Sequence, residues 1–199
     1  MKNIYCIRHG KSAHNLFYSK NGEDAYLDIL HTDSSLLEEG FKQCEEINKN
    51  YKHIFSDLFK NDDFLIVVSP LKRCLLTYFG IFSEYNIPKK KIVSIELIRE
   101  YPAGLHTPNK RMSKSTLNYF YDKYIDFTKI MDNEDKLWNS EREETINELE
   151  LRINEFKEWI SERKESNIII ISHSSFLGKL IFNDTNFNIK HTQIYKLNL

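Results

Sequence analysis

"NIIIISHSSFL" runs from Asn167 to Leu177. Four successive isoleucines leave no polar face, so this is not a half-exposed strand or a surface helix. Branching at Cβ stiffens χ1 and suits an extended, pleated backbone. A strand that is apolar on both sides must be covered on both sides, which is how strands of parallel sheets read. The polarity returns all at once at Ser172, His173 and Ser174, where the strand leaves the core. Phe176 and Leu177 then open an apolar helical stretch. One strand buried on both faces already asks for helices above and below it.

The rest of the chain supplies them. Residues 3–8 are short and apolar and end before Gly10. "FLIVVSP" (Phe64–Pro70) is a second β-branched run, with Ser69 placed to cap a helix and Pro70 suited to its first turn. "KIVSIELI" (Lys91–Ile98) reads as a third strand, and residues 187–199 as an edge strand. Leu37, Phe41, Cys44, Ile47, Tyr51, Ile54, Phe55 and Leu58 recur at helical spacing. Gly40 lies inside that stretch at a cost of about 1 kcal/mol relative to Ala, which implies a close neighbour. Leu71, Cys74, Leu75, Tyr78 and Phe82 trace a second helix. Residues 144–162 form a third, with Ile146, Leu149, Ile153, Phe156, Trp159 and Ile160 on one side. Alternation of such strands and helices predicts an α/β fold, a three-layer αβα sandwich with a mainly parallel central sheet. Residues 1–199 read as one domain, with 101–140 as an excursion of loop and short helix lying over the site. Residues 16–31 read as irregular.

Composition narrows the function classes. The chain has 199 residues, 28 Lys+Arg and 29 Asp+Glu, for a formal net charge of -1. A general nucleic-acid binder is normally clearly basic, so nucleic acid is not an expected partner. No apolar run approaches the roughly 20 residues that span a bilayer, and no charged leader precedes the first strand. Cys6, Cys44 and Cys74 form no paired framework and sit in apolar segments. They read as buried free thiols, and the expected location is the cytoplasm.

The chemistry lies at the strand ends. The first strand runs into Arg8-His9-Gly10, the second into Ser69-Pro70-Leu71-Lys72-Arg73, and the strand at 167–172 into His173-Ser174. Ligands of open α/β sheets bind at the carboxyl ends of the strands, so two histidines and two arginines converge on one crevice. Arginine presents a planar fork that matches phosphate oxygens. The helix N-termini after Pro70 and at Ser174 are expected to add N–H groups for an anion. The histidines show neither HExxH nor i,i+4 pairing, and no metal site is expected.

These segments carry a resemblance. "RHGKSAHN" (8–15) resembles the RHG signature of the histidine phosphatase superfamily, which includes cofactor-dependent phosphoglycerate mutases and many phosphatases. "DSSLLEEGFKQ" (33–43), "VVSPLKRCLLT" (67–77) and "IIISHSSFL" (169–177) are similar to three further segments of that family, in the same order. The resemblance implies a phosphoglycerate mutase-like fold and a phosphohistidine mechanism. His9 is then the nucleophile, and Arg8, Arg73 and His173 stabilise the transferring phosphoryl group. Gly10 allows close backbone approach, Asn15 and the backbone of Ser174 donate hydrogen bonds, and Glu100 is the proton donor. Glu96 reads as a solvated strand residue. Lys110 and Arg111 are candidates to meet a second anionic group of a substrate. Arg142 and Glu143 are expected to cap or orient the helix that follows.

The expected activity is a metal-independent phosphomonoesterase acting on small phosphorylated metabolites or phosphoproteins. The resemblance keeps two alternatives open. One is a phosphoglycerate mutase needing 2,3-bisphosphoglycerate, although the chain has "REYPAG" (99–104) where such mutases usually carry E-R-H-Y-G, and no proline run follows. The other is a non-catalytic phosphoprotein-binding module. The phosphatase needs no cofactor, its partner is a small phosphorylated substrate, and the resemblance allows a homodimer.

Overall fold

The computed structural model describes residues 2–198. In chain order the elements are β1 (Asn3–Arg8), α1 (Ala13–Asn21), α2 (Asp24–Leu27), α3 (Glu38–Lys60), β2 (Phe64–Val68), α4 (Lys72–Phe82), β3 (Ile92–Ser94), α5 (Lys114–Tyr121), α6 (Ile146–Ser161), β4 (Asn167–Ser172), α7 (Ser174–Phe182) and β5 (Ile194–Asn198). The sheet order is β3-β2-β4-β1-β5. β1 to β4 are mutually parallel, and β5 runs antiparallel to β1 at the edge.

Side chains alternate across this sheet with period two. Phe64, Ile66 and Val68 of β2, Ile169 and Ile171 of β4, and Ile7 of β1 face a core completed by α3, α4 and Leu117 of α5. Leu65 and Val67, Ile168 and Ile170, and Ile4 and Cys6 face the opposite core, completed by α6 and α7. Helices therefore cover both faces. Burying each such Ile or Leu stabilises the fold by about 1.5–3 kcal/mol, so the central strands dominate its stability. All three cysteines are buried and free. Among the described residues no helix is long and apolar enough to cross a membrane.

The register sets up the site. Arg8 lies opposite Ser172, and Val68 opposite Ile171. The ladder continues one step beyond the strands, with His9 N donating to Ser172 O and Ser69 N to Ile171 O, both at 3.0 Å. Three chain segments thus leave the sheet side by side at its carboxyl end.

Some expectations are corrected. The third strand stops at Ser94, because residues 96–98 coil into a 3₁₀ turn. Asp126 occupies the outer edge of β3, donating to Ile92 O at 2.8 Å and accepting from Ser94 N at 2.9 Å. Pairing of this kind covers an edge that would otherwise be exposed. The last strand starts only at Ile194, and residues 13–27 are largely helical rather than irregular. Helix α4 starts at Lys72, beyond Pro70. The excursion is no loose flap, since Ile125, Phe127 and Ile130 are buried in the α3/α4 core. Arg142 behaves as expected. It grips Glu148 at 2.7 and 2.9 Å, and Glu148 closes a capping box with Thr145 at the start of α6.

Gly40 has the close neighbour its cost implied. A Cβ there would collide with the Lys11 carbonyl oxygen, and a Cβ at Gly10 would lie 2.7 Å from the Gly40 oxygen. Backbone meets backbone at this point, so neither side can yield cheaply. Gly40→Ala is expected to cost about 2–3 kcal/mol by forcing the segment after β1 outward. Urea denaturation reads this directly, and an unchanged midpoint would refute it.

Candidate active site

His9 stands on the segment that leaves β1, with 1% of its surface exposed. Its Nδ1 lies 2.8 Å from Gly10 O. A carbonyl can only accept, so Nδ1 carries the proton and Nε2 keeps its lone pair. That lone pair accepts from Arg73 Nε at 3.2 Å. Burial, Arg73, the His173 ring and Arg8 hold the His9 ring well below the usual histidine range. The ring is therefore neutral, with its basic nitrogen aimed at a guanidinium.

Arg73 is the most constrained side chain here. It is fully buried near the start of α4. Besides Nε, its Nη1 donates to Pro108 O at 2.6 Å and its Nη2 to Asn109 Oδ1 at 2.9 Å. Asn109 is itself held, donating from Nδ2 to Pro102 O at 2.8 Å and accepting at its carbonyl from Arg99. Arg8 donates from Nη1 to Ile189 O at 2.6 Å. Among the described residues its buried Nε finds no acceptor. An unpaired buried guanidinium N–H is costly, and an anion at this point would satisfy it.

His173 sits at the head of α7, with its ring centre 5.2 Å from that of His9. Its Nε2 is 2.8 Å from Ser69 Oγ. Burial and Arg73 push its ring well below the usual histidine range. On α1, the His14–Asn15 pair forms a closed relay. Asn15 Nδ2 donates to His14 Nε2 at 3.1 Å, His14 Nδ1 to Ser12 Oγ at 3.0 Å, and Ser12 Oγ to Asn15 Oδ1 at 2.6 Å. This orients the Asn15 amide and keeps His14 a neutral, buried ring.

Two helix N-termini were expected to hold an anion, and both are occupied by carboxylates. Asp33 Oδ1 accepts from Lys72 N at 2.7 Å at the head of α4. Glu100 Oε1 accepts from Ser175 N at 3.1 Å and Phe176 N at 3.3 Å at the head of α7. A carboxylate at a helix N-terminus satisfies N–H groups that have no partner within the helix and meets the positive end of its dipole. One helix end thus serves to fix Glu100, while Ser174 lies in the cleft.

Arg8, His9, Asn15, Glu100 and Ser174 line one cleft of about 550 Å³, with His14, Tyr18, Tyr26 and His106 on its walls. Gly10 lies just behind, its N–H held by Thr77 Oγ1 at 3.0 Å. Lys110 and Arg111 lie elsewhere, which corrects their expected contact with substrate. Lys110 is exposed and stacks 4.5 Å over the Trp138 ring. Arg111 is buried, bonded to Glu96 and to four carbonyl oxygens of residues 112, 132, 133 and 134. Glu96 is accordingly no solvated residue, since it also pairs with Arg99 at 3.1 Å. Sequence reasoning passed over His191, whose Nδ1 donates to His9 O at 2.8 Å and whose ring lies 5.5 Å from His9. It also passed over Asn109 and Asp33. Among the described residues no three His, Cys, Asp or Glu side chains are grouped as metal ligands.

The sequence profile of a family described as the histidine phosphatase superfamily (branch 1) matches residues 4–197. The chain is 32% identical to phosphoglycerate mutase-like protein 1 of Arabidopsis thaliana, over 88% of this chain and 69% of that protein. Its fold is similar to that of YhfR of Bacillus stearothermophilus, with a TM-score of 0.62 at 18% identity, covering 100% of this chain and 92% of the other. It is also similar to that of the alpha-ribazole phosphatase of Shigella flexneri, with a TM-score of 0.57 at 18% identity over 89% and 77% of the two chains.

The buried charges make two expectations measurable. Asn109→Ala leaves Arg73 Nη2 without an acceptor in the interior. It should cost about 1–3 kcal/mol of stability in urea denaturation. The second concerns pH. His9, His14, His173 and His191 all have lowered values, His191 at about 4, chiefly through burial. They are neutral when folded and take up protons when unfolded below about 6.5. Asp33 runs the other way, because burial raises it from 3.8 to about 6, so it releases a proton on unfolding in the same range. His106 is lowered as well, so the balance is a net uptake of protons on unfolding near pH 5.5, and stability should fall on acidification there. A denaturation midpoint that is flat between pH 6.5 and 5 would contradict this placement of the rings.

Proposed function

Given that the chain belongs to the histidine phosphatase superfamily, branch 1, we propose that it hydrolyses phosphate monoesters through a phosphohistidine at His9. The observation that carries this reading is the fixed tautomer of His9. Its Nδ1 proton is held by Gly10 O, and its bare Nε2 faces Arg73. A neutral imidazole in that state is a nucleophile that needs no prior deprotonation.

In the proposed cycle the Nε2 lone pair attacks phosphorus while the ester P–O bond breaks. Arg73 Nε passes its hydrogen bond from Nε2 to a phosphoryl oxygen. Arg8 supplies its unpaired Nε, while His173 and the oriented Asn15 amide supply further donors. Most of the rate gain in phosphoryl transfer comes from such positioning and charge stabilisation. Glu100 takes a proton from the monoanionic ester as it binds and passes it to the departing alkoxide. It then takes a proton from the water that attacks the phosphohistidine, breaking the P–N bond and restoring neutral His9. The α7 N–H groups that hold Glu100 Oε1 set the orientation of this carboxyl.

Mutase action fits less well. Reorienting a bisphosphate or a phosphoglycerate calls for a second cationic subsite. The two sequence candidates for it, Lys110 and Arg111, are engaged outside the cleft.

His9→Ala should lower phosphate release from a phosphomonoester by at least about a thousandfold. Glu100→Gln should lower it by roughly 10²–10⁴-fold for alkyl esters. The Glu100→Gln loss should be smaller for 4-nitrophenyl phosphate, whose leaving group needs no proton. Isomerisation of 3-phosphoglycerate with 2,3-bisphosphoglycerate should be negligible. Retained turnover in His9→Ala would sink the proposal, and efficient isomerisation would replace it with the mutase reading. Binding of phosphoproteins without turnover would favour the non-catalytic one.

A further inference from the structure

Beyond Arg8 and His9 the walls of the cleft have their own chemistry. On one wall the Tyr26 ring stacks on His106 at 4.5 Å with the planes 7° apart, and Tyr18 packs on Tyr26 at 5.0 Å. This shelf is pinned from behind. Thr107 Oγ1 donates to Asp28 O at 2.6 Å and to Tyr26 O at 3.3 Å, and Trp138 Nε1 donates to His106 O at 3.0 Å. Asn186, Phe187 and Asn188 line the same cleft. Phe187 is itself fixed by stacking on Phe182 at 3.8 Å.

Formal charge in the cleft is scarce. Among the described residues that line it, Arg8 and Glu100 are the charged side chains, and the proposed cycle uses both. Burial and the neighbouring Arg73 and Arg8 hold His9 and His14 neutral. Burial outweighs Glu143, 3.1 Å away, in lowering His106. The Tyr26 hydroxyl is pushed up to about 12 by burial, Glu100 and Tyr18, and remains a neutral donor. Nothing on these walls would compensate a carboxylate or a second phosphate on the alcohol. Removing such a group from water without a partner is costly. An aromatic shelf that shares its cleft with a phenyl ring and two asparagines instead suits a flat group with a polar rim.

We infer that the cleft selects phosphomonoesters whose alcohol is uncharged and carries a planar ring, with Tyr26 as the residue that reads the ring. The inference rests on the phosphatase reading for its chemistry and on the cleft walls alone for its selectivity.

Three esters with comparable leaving groups test it: 2-phenylethyl phosphate, 2-cyclohexylethyl phosphate, and the para-carboxylate of the first. In the intact protein kcat/KM should favour phenylethyl over cyclohexylethyl by roughly three- to tenfold, the range that ring stacking supplies. It should favour phenylethyl over its carboxylate by more than about tenfold. Tyr26→Leu should erase the first ratio and keep the second, whereas Tyr26→Phe should keep both. Equal rates for phenyl and cyclohexyl esters, or a preference for the carboxylate, would overturn the inference. Dissociation constants for the same esters, measured by calorimetry on the His9→Ala variant and the intact protein, separate the two failures. The same ranking in binding without turnover would sink the phosphatase reading and sustain the selectivity. A flat ranking in binding and turnover would sink the selectivity alone.

Discussion

A guanidinium with no exposed surface must find an acceptor for its N–H groups inside the protein, and Arg73 finds three, drawn from two distant parts of the chain. One is the His9 ring after β1, one the carbonyl of Pro108, and one the amide of Asn109. Burying that cation is expensive unless all of these are in place. The requirement ties the segment after β1, the head of α4 and the excursion into one unit. It also decides the state of His9, since a ring that accepts from Arg73 at Nε2 must carry its proton at Nδ1. The charge that would steady a phosphoryl group thus also prepares the nitrogen proposed to attack it.

Around this centre lies a second ring of buried ion pairs that keeps the excursion in position. Arg99 bonds Asp135 and Glu96, Arg111 bonds Glu96, and Arg152 bonds Glu144 at 2.7 and 2.8 Å. Arg152 also donates to the carbonyls of Leu97 and Arg99, both at 2.9 Å. Through Arg99 this ring reaches the carbonyl of Asn109, and through Asn109 it reaches Arg73. A paired charge in the interior holds its partner at a defined distance and angle better than an apolar contact does, because either ion alone would be left uncompensated.

What the sequence made legible follows from this arrangement. Phe64–Val68 and Asn167–Ser172 announced themselves because strands buried on both faces can hardly be anything else. Arg8, His9, Arg73 and His173 were found because parallel strands deliver their ends to one place. β3 was read too long because Leu97 and Ile98 are as apolar as a strand residue. Only the tertiary structure shows that they serve a 3₁₀ turn under α6. Helix α1 was missed because it carries a single buried residue, His14, and so shows no apolar stripe. Asp33 and His191 lie outside the regular elements and Asn109 in a short 3₁₀ turn, and what they hold is visible only once distant segments meet. Arg111 misled for the converse reason: a basic residue in a loop resembles an anion receptor until the carboxylate that claims it, 15 residues earlier, is seen.

The strand that carries Arg8 and leads into His9 is among the first elements of the chain, yet it has no early partner. Ile4 lies opposite Ile168 on one side and Leu197 on the other. Both neighbours of β1 therefore emerge from the ribosome only when nearly all of this sequence has been made, and closing so long a loop is slow in folding. Until then the Arg8–His9 segment has neither the ladder bond to Ser172 nor the α7 helix that anchors Glu100. Residues 33–100 can bring α3, α4, β2 and β3 together beforehand, but they contain only Arg73 and Glu100 of the central groups. The pocket around His9 thus forms only after β4 and α7 have been made, and a chain halted before β4 has a partial sheet and no cleft.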